Sequence, residues 1–373
     1  MRRNDIISYI LLISINVASS QYFYLPVYFE YYLRSAEYSF IFSTASVSLR
    51  AAVSPFIAEV LKNRPKSSLF IAFAYQAILS WILFFKLLPL NIVVVALVGA
   101  INGLVTSLLL FLNAIFFSYS EPNLSSRYQR ANFFISSKFL GYVVGSLITI
   151  LILLFLLKGI NDLFLASLIV WLICIPLIFA LDTKKGKVSK PSILEVRKVF
   201  SAFSPFFLLS FMLSMSLATV GGLIEPLIFS KVSSAGWFSV SFILANVAGS
   251  IIPLYFPKSK ISFNLVLGVT IATISEFLFP LTPQLYVLVA YGIFSQVGNS
   301  IVWPIMIGNM MSRSDYPVVE SGVLATITDV STLIADGFTA LFYPILGAYS
   351  LSLFSIINLV VWVIFFLSRK KEM

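Results

Sequence analysis

The feature that most constrains this chain is a succession of apolar runs, each long enough to cross a bilayer and each ended by a short polar break. A hydrocarbon core ~30 Å thick needs about 20 apolar residues per helix. Twelve runs reach that length, at 6–29, 38–61, 67–88, 92–118, 131–157, 163–181, 206–229, 235–256, 261–280, 285–310, 320–347 and 350–368. The breaks at 280–284 and 348–349 are the shortest; read as kinks they would reduce the count to eleven or ten. Composition points the same way. Hydrophobic residues are 59% of the chain and charged residues 11%, with a mean hydropathy of +0.98. A soluble domain is roughly 25% charged, so water cannot cover this surface and lipid must. The expected fold class is an all-α integral membrane protein of twelve transmembrane helices.

The charged residues sit in the breaks. The longest polar stretch, 182–198, is rich in lysine and divides the chain near its middle. With the N-terminus placed inside and successive breaks alternating, the inner segments hold Arg2, Arg3, Lys62, Arg64, Lys66, Arg127, Arg130, Lys184, Lys185, Lys187, Lys190, Arg197, Lys198, Lys258, Lys260, Arg313, Arg369, Lys370 and Lys371. That is 19 of the 25 basic residues. The positive-inside rule then predicts an even number of spans with both termini cytoplasmic, in a multi-pass protein of the cell membrane. Met1-Arg2-Arg3 before an apolar run imitates a secretory leader, but the run continues past the would-be cleavage point.

The net charge of +10 is spread over these breaks and forms no stripe, so nucleic acid is not an expected partner. A single cysteine, Cys174, and the absence of histidine leave no disulfide framework, no thiolate or imidazole metal site and no Ser-His-Asp triad. No GxxxxGK[ST], HExxH or GxSxG motif occurs, and no loop could house an ATPase domain. Neither an enzyme nor a nucleotide-driven pump is expected, and no cofactor.

Sliding the sequence by 200 residues aligns the first two runs with the seventh and eighth. Ser14, Ala18, Pro26, Phe29, Ser39, Phe42, Ala45 and Val47 meet Ser214, Ala218, Pro226, Phe229, Ser239, Phe242, Ala245 and Val247. Two six-helix bundles, 1–181 and 199–373, joined by a cytoplasmic linker 182–198, is the economical organisation.

With this layout the chain resembles the major facilitator superfamily along essentially its whole length. The family has a loop between its second and third helices with a small residue, an acid and a basic cluster. Here that stretch ends Ala58-Glu59-Val60-Leu61-Lys62-Asn63-Arg64-Pro65-Lys66, with Glu59 in the acidic place and the family's glycines missing. The run 131–157 holds Gly141-Tyr142-Val143-Val144-Gly145, a GxxxG spacing without the proline of the family's antiporters. The resemblance implies two bundles that alternate access, with the first, fourth, seventh and tenth helices lining a central path. It also implies that the second and eleventh are neighbours.

An ionisable group at mid-bilayer costs ~2.5–3.5 kcal/mol on insertion scales, so each one asks for a reason. Arg50 and Asp329 lie at similar depth, about 12 and 10 residues from the inner ends of their runs, and the resemblance makes their helices neighbours. An ion pair between them is expected, either making and breaking as the bundles rock or static. Asp336, seven residues beyond Asp329, shares its helix face and is the first candidate coupling acid, with Glu225 second. Either could equally be held passively, Asp336 as a neutral acid and Glu225 within reach of outer water. Glu276, near the outer end of its run, is expected to reach interfacial water. Lys138 could anchor an anionic solute or pair with a carboxylate.

Neutral polar residues mark candidate cavity faces or simple helix–helix bonding: Gln21 in the first run, Asn102, Thr106 and Asn113 in the fourth, and Gln296, Asn299 and Trp303 in the tenth. Glu59 with Arg127 and Arg130 forms a possible gate on the cytoplasmic side, or ordinary helix-end charge.

The functional expectation is a secondary active transporter, monomeric in the lipid bilayer. It would move a small-molecule substrate with a coupling ion, a proton by preference, and would export amphipathic drug-like or metabolite solutes. A lipid flippase or scramblase, or a non-transporting membrane sensor, is the alternative on the same scaffold.

Overall fold

Backbone N–H and C=O groups in hydrocarbon must be satisfied within the spanning segment, so lipid-facing apolar runs become helices. In the computed structural model the described residues are 3–25, 28–29, 32, 37–89, 91–118, 124–156, 159–182, 192–203, 210–211, 235–255, 261–281, 285–310 and 317–369. Among them there are helices and turns and no strand.

The helices are α1 (Arg3–Ser20), α2 (Glu37–Leu61), α3 (Pro65–Phe84), α4 (Ile92–Thr106), α5 (Leu110–Ser118), α6 (Leu124–Ile150), α7 (Asn161–Ala180), α8 (Ile193–Phe203), α9 (Ala235–Tyr255), α10 (Ile261–Leu278), α11 (Leu285–Met310), α12 (Pro317–Leu346) and α13 (Ser350–Arg369). α4 and α5 are one apolar run joined by a 3₁₀ turn, Ser107–Leu109, and α6 continues as a π turn over Leu151–Phe155. Every predicted run is matched by helix except 206–229, which lies almost wholly outside the described residues. Eight helices are long and apolar enough to cross a membrane among the described residues.

The two shortest breaks are real ends of helices. α10 gives way to a 3₁₀ turn at Phe279–Leu281 before α11 begins at Leu285. α12 ends at a 3₁₀ turn in which Gly347 has φ +55°, a conformation that L side chains rarely adopt. The last residues of the expected linker enter α8, whose Val196, Val199 and Phe203 are buried while Arg197 and Lys198 are exposed.

Contacts divide the chain into two units. The first comprises Met1–Ser120, Leu140–Ser201 and Ser314–Asp329, the second Glu121–Phe139, Ala202–Arg313 and Val330–Met373. α6 and α12 each change unit part-way along. In the first unit α2 packs on α4, α3 on α7, and α1 on α7. In the second unit α9 packs on α11, α10 on α13, and α10 on α11. In terms of the apolar runs, the pairs second–fourth and third–sixth recur as eighth–tenth and ninth–twelfth.

Small residues set these contacts, because lipid tails offer helices no hydrophobic incentive to associate and close van der Waals packing must supply it. A Cβ on Gly99 of α4 would stand 2.5 Å from the Phe42 carbonyl oxygen of α2, and one on Gly103 would run into the Ser46 carbonyl. The GxxxG pair does the same between α6 and α1. A Cβ on Gly141 would lie 2.6 Å from the Ile13 carbonyl oxygen, and one on Gly145 would collide with Ser20 Oγ. A shallow, outward-facing apolar groove of about 600 Å³ runs between α2 and α4 beside this contact.

Gly145→Leu should therefore separate α1 from α6 and lower the melting temperature of the purified protein, with loss of folded yield. Gly337→Ala is the control: nothing lies within 4 Å of its added Cβ, and alanine favours a helix by about 1 kcal/mol over glycine. That variant should melt at or slightly above the parent temperature.

Candidate functional site

In the first unit α12 approaches α2 so closely that a Cβ on Gly322 would lie 2.7 Å from the Ser54 carbonyl oxygen. One turn further along, the Thr326 hydroxyl donates to the Ala51 carbonyl at 2.8 Å. This contact brings the two mid-helix charges together. Arg50 Nε donates to Asp329 Oδ2 at 2.7 Å and Nη2 to Oδ1 at 2.5 Å, a bidentate pair. The planar guanidinium matches the carboxylate fork, which makes such pairs both strong and geometrically specific. The Asp329 side chain is 6% exposed and that of Arg50 34%. Tyr142 of α6 lies near enough to feel the Arg50 charge.

Glu59 is also buried. The Lys62 ammonium donates to Glu59 Oε1 at 2.5 Å and to Glu195 Oε2 at 3.3 Å, and the Ser192 backbone N–H donates to Glu59 Oε1 at 3.0 Å. Ser192 immediately precedes α8, so this carboxylate satisfies an amide at a helix N-terminus, where the dipole favours negative charge. Burial works against the Lys62 charge, but the two carboxylates outweigh it and hold the ammonium above its ordinary range. Arg130 is half-buried in the second unit, and the Arg127 side chain lies outside the described residues.

Three of the neutral candidates in the first unit bond helices to one another or to themselves. Gln21 is buried; its Nε2 donates to the Gly145 carbonyl at 3.1 Å, and its Oε1 accepts from the Thr149 hydroxyl at 3.0 Å. Asn102 accepts from Gln76 Nε2 at 2.8 Å and donates to Ser46 Oγ at 3.0 Å, tying α3, α4 and α2. The Thr106 hydroxyl donates back to the Asn102 carbonyl of its own helix at 2.8 Å. Asn113 is half-buried on α5.

In the second unit the first part of α6 faces α11. The Lys138 ammonium stands 6.0 Å from the centre of the Trp303 ring, within cation–π range. Pro304 follows Trp303 inside α11. A proline has no N–H for the carbonyl four residues earlier, so the helix ladder is interrupted beside this pair. Trp303 Nε1 is buried without a hydrogen-bond partner among the described residues. Asn299 is buried one turn away and Gln296 is half-buried. Tyr128 is fully buried and bonds Asn264 and Asn132.

Glu276 corrects the sequence reading. It is 2% exposed and does not reach out to water. Its Oε1 accepts from the Ser295 hydroxyl of α11 at 3.2 Å and its Oε2 from Asn358 Nδ2 of α13 at 3.1 Å. Position near a helix end suggested solvent; only the packing of α11 and α13 over it gives burial. Lys62, Glu195 and Ser192 were likewise not singled out in the sequence, where they read as connector residues. Asp336 lies on helical backbone in α12, but its side chain, and all of Glu225, lie outside the described residues. Pro26 and Pro226 of the repeat lie there too.

No protein-family model matches the sequence, and no curated protein matches it by sequence. Solved structures do match. The human organic anion transporter MFSD10 (TETRAN) aligns with 98% of this chain and 99% of its own, at a TM-score of 0.76 and 12% identity. A bacterial homologue of the iron transporter ferroportin, in an outward-facing state, aligns with 99% of this chain and 100% of its own, at a TM-score of 0.73 and 15% identity. At such identities the likeness is one of fold. The chain is a multi-pass membrane protein with the major facilitator fold.

Lys62→Met keeps the stem and removes the cation, leaving Glu59 buried without it. Breaking a buried pair from one side costs on the order of 3 kcal/mol. Limited proteolysis of the variant should cleave ahead of α8 faster than in the parent. Because the folded-state value of Lys62 is raised, its contribution is complete below the free lysine value near 10.4 and fades only as pH rises through the raised one. The cleavage rate of the parent should therefore show no Lys62-linked change around neutrality.

Proposed function

We propose that this protein is a secondary active transporter that moves a small solute across the cell membrane by alternating access. In this reading two six-helix halves, joined by the 182–198 segment and with both termini cytoplasmic, rock about a central path. The observation that carries the proposal is the bidentate Arg50–Asp329 pair. A charge pair held within two apolar helices is costly to desolvate and adds little net stability over a well-packed apolar contact. It is well suited to a contact that must break and re-form. Similarity of fold to two transporters supports the same reading.

The solute we propose is an amphipathic organic anion, bound at Lys138 and Trp303. The lysine ammonium and the indole N–H are both donors without acceptor capacity, and the indole N–H is buried and unmatched among the described residues. A carboxylate, sulfonate or phosphate would accept from both, while the aromatic face takes the apolar portion of the solute. The structural neighbour titled an organic anion transporter agrees with this choice. The other neighbour's title names an iron transporter; with no histidine and one cysteine in this chain, a transition-metal cargo would meet no imidazole and at most one thiolate.

Uptake into proteoliposomes of a panel of anionic, neutral and cationic amphipathic solutes, with and without a pH gradient, tests the function. Arg50→Ala should abolish solute flux while the protein stays folded, and the double variant Arg50→Asp/Asp329→Arg should recover part of it. Unaltered flux in both would remove the pair from the mechanism. Lys138→Gln should raise the KM for the anionic solute about tenfold, equivalent to ~1.4 kcal/mol of binding, and leave neutral solutes unchanged. Movement of lipid probes with no solute flux would favour a lipid flippase or scramblase.

A further inference from the structure

The short helix α8 carries two stripes of exposed side chains outside the face that buries Val196 and Val199. Ile193, Arg197 and Phe200 follow one another at steps of four and three, so they lie along one stripe. Leu194 and Lys198, four apart, lie along the next. Ile193 is 75% exposed, Leu194 66% and Phe200 42%. Arg197 and Lys198 are exposed among them. Single exposed apolar residues are ordinary on a protein surface. Three of them on an eleven-residue helix, interleaved with two cations and beside a buried face, form the pattern of a helix that lies in a membrane–water interface.

The place of α8 in the first unit agrees with this pattern. The Ser192 N–H donates to Glu59 Oε1, and Lys62 joins Glu59 to Glu195, so the start of α8 is pinned to the last turn of α2. That turn is where the apolar run of α2 gives way to polar residues. Val60 is 61% exposed, and Asn63 and Arg64, exposed as well, follow it. In a membrane-spanning helix this is the level at which hydrocarbon gives way to water, and α8 begins there. Charge points to the partner. Glu59 and Glu195 are already engaged with Lys62, while neither Arg197 nor Lys198 has an ion pair among the described residues. Over 182–198 the sequence holds six basic residues against two acidic ones.

We propose that α8 is an interfacial anchor for anionic phospholipid: Ile193, Leu194 and Phe200 enter the headgroup boundary, and Arg197 and Lys198 bind the headgroup phosphates of the protein's own bilayer. The long stems of the two cations run along apolar surface while their heads stay at the phosphate level. A zwitterionic headgroup sets its own cation beside the phosphate, so the net attraction needs a lipid with net negative charge. Anionic lipid thereby fastens α8, and with it the Glu59–Lys62–Glu195 cluster at the end of α2. The anchor does not depend on the Arg50–Asp329 pair, and the proposal does not require the protein to be a transporter.

Hydrogen–deuterium exchange of the purified full chain tests it, in nanodiscs of phosphatidylcholine alone or mixed with phosphatidylglycerol. Amide exchange along a helix follows its local opening. In the parent, the amides of 193–201 should exchange roughly thirtyfold more slowly with phosphatidylglycerol present, the joint weight of two near-surface cations. High salt should erase that difference. Arg197→Gln/Lys198→Gln, at two exposed positions, should exchange at one rate in both lipids. Ile193→Gln/Leu194→Gln removes the apolar anchors without lowering helix propensity, and should exchange faster than the parent in both lipids. The proposal is overturned if exchange in the parent ignores phosphatidylglycerol, or if the lipid effect survives Arg197→Gln/Lys198→Gln. It is overturned equally if Ile193→Gln/Leu194→Gln exchanges like the parent in both lipids. Protection that appears only as the protein is concentrated in detergent overturns it too, since a second copy would then cover α8.

Discussion

Every polar group that this chain places in hydrocarbon must find its partner inside the protein, because lipid offers none. The backbone meets that demand by helix formation. The side chains meet it by close helix contacts, and glycine is what makes those contacts possible. Gly99 and Gly103 admit α2, and Asn102 between them then reaches Ser46 and Gln76. Gly145 admits α1, and its own carbonyl receives Gln21. Gly322 admits α2 again, and Arg50 meets Asp329. In each case a missing Cβ and a polar pairing occur at one helix crossing.

This coupling gives the buried charges different characters. Arg50 and Asp329 answer each other in a bidentate pair between α2 and α12. Glu59 is answered by Lys62 and by the amide ahead of α8, which fixes the connector helix to the end of α2. Glu276 accepts from the Ser295 hydroxyl of α11 and the Asn358 amide of α13. Identical carboxyl chemistry thus yields an inter-helix ion pair, a helix cap and a hydrogen-bonded acid buried between three helices, according to what packs over it.

How much was legible beforehand follows from the range of the interactions. Helix positions could be read from apolar runs, since hydropathy over about 20 residues is a local quantity. The Arg50–Asp329 pair could be anticipated because depth in a span is also local and the resemblance supplied which helices adjoin. The fate of Gln21, Asn102 and Thr106 could not. A polar residue on a helix looks the same whether it lines a cavity or bonds a neighbour, and here these three are taken up in hydrogen bonds within and between helices.

The sequence by itself determined that this chain lives in a membrane and where its helices run, because burial in lipid depends on the composition of each segment alone. It also determined that no histidine chemistry is available and that a single cysteine can build neither a disulfide framework nor a thiolate metal site. Tertiary structure alone decided which charges are answered and by what. Glu276 is the clearest case: its place near the end of α10 suggested water, and the packing of α11 and α13 removed the water and supplied Ser295 and Asn358. The contacts that this carboxyl group makes reach residues 19 and 82 positions away in sequence, and no local pattern encodes them.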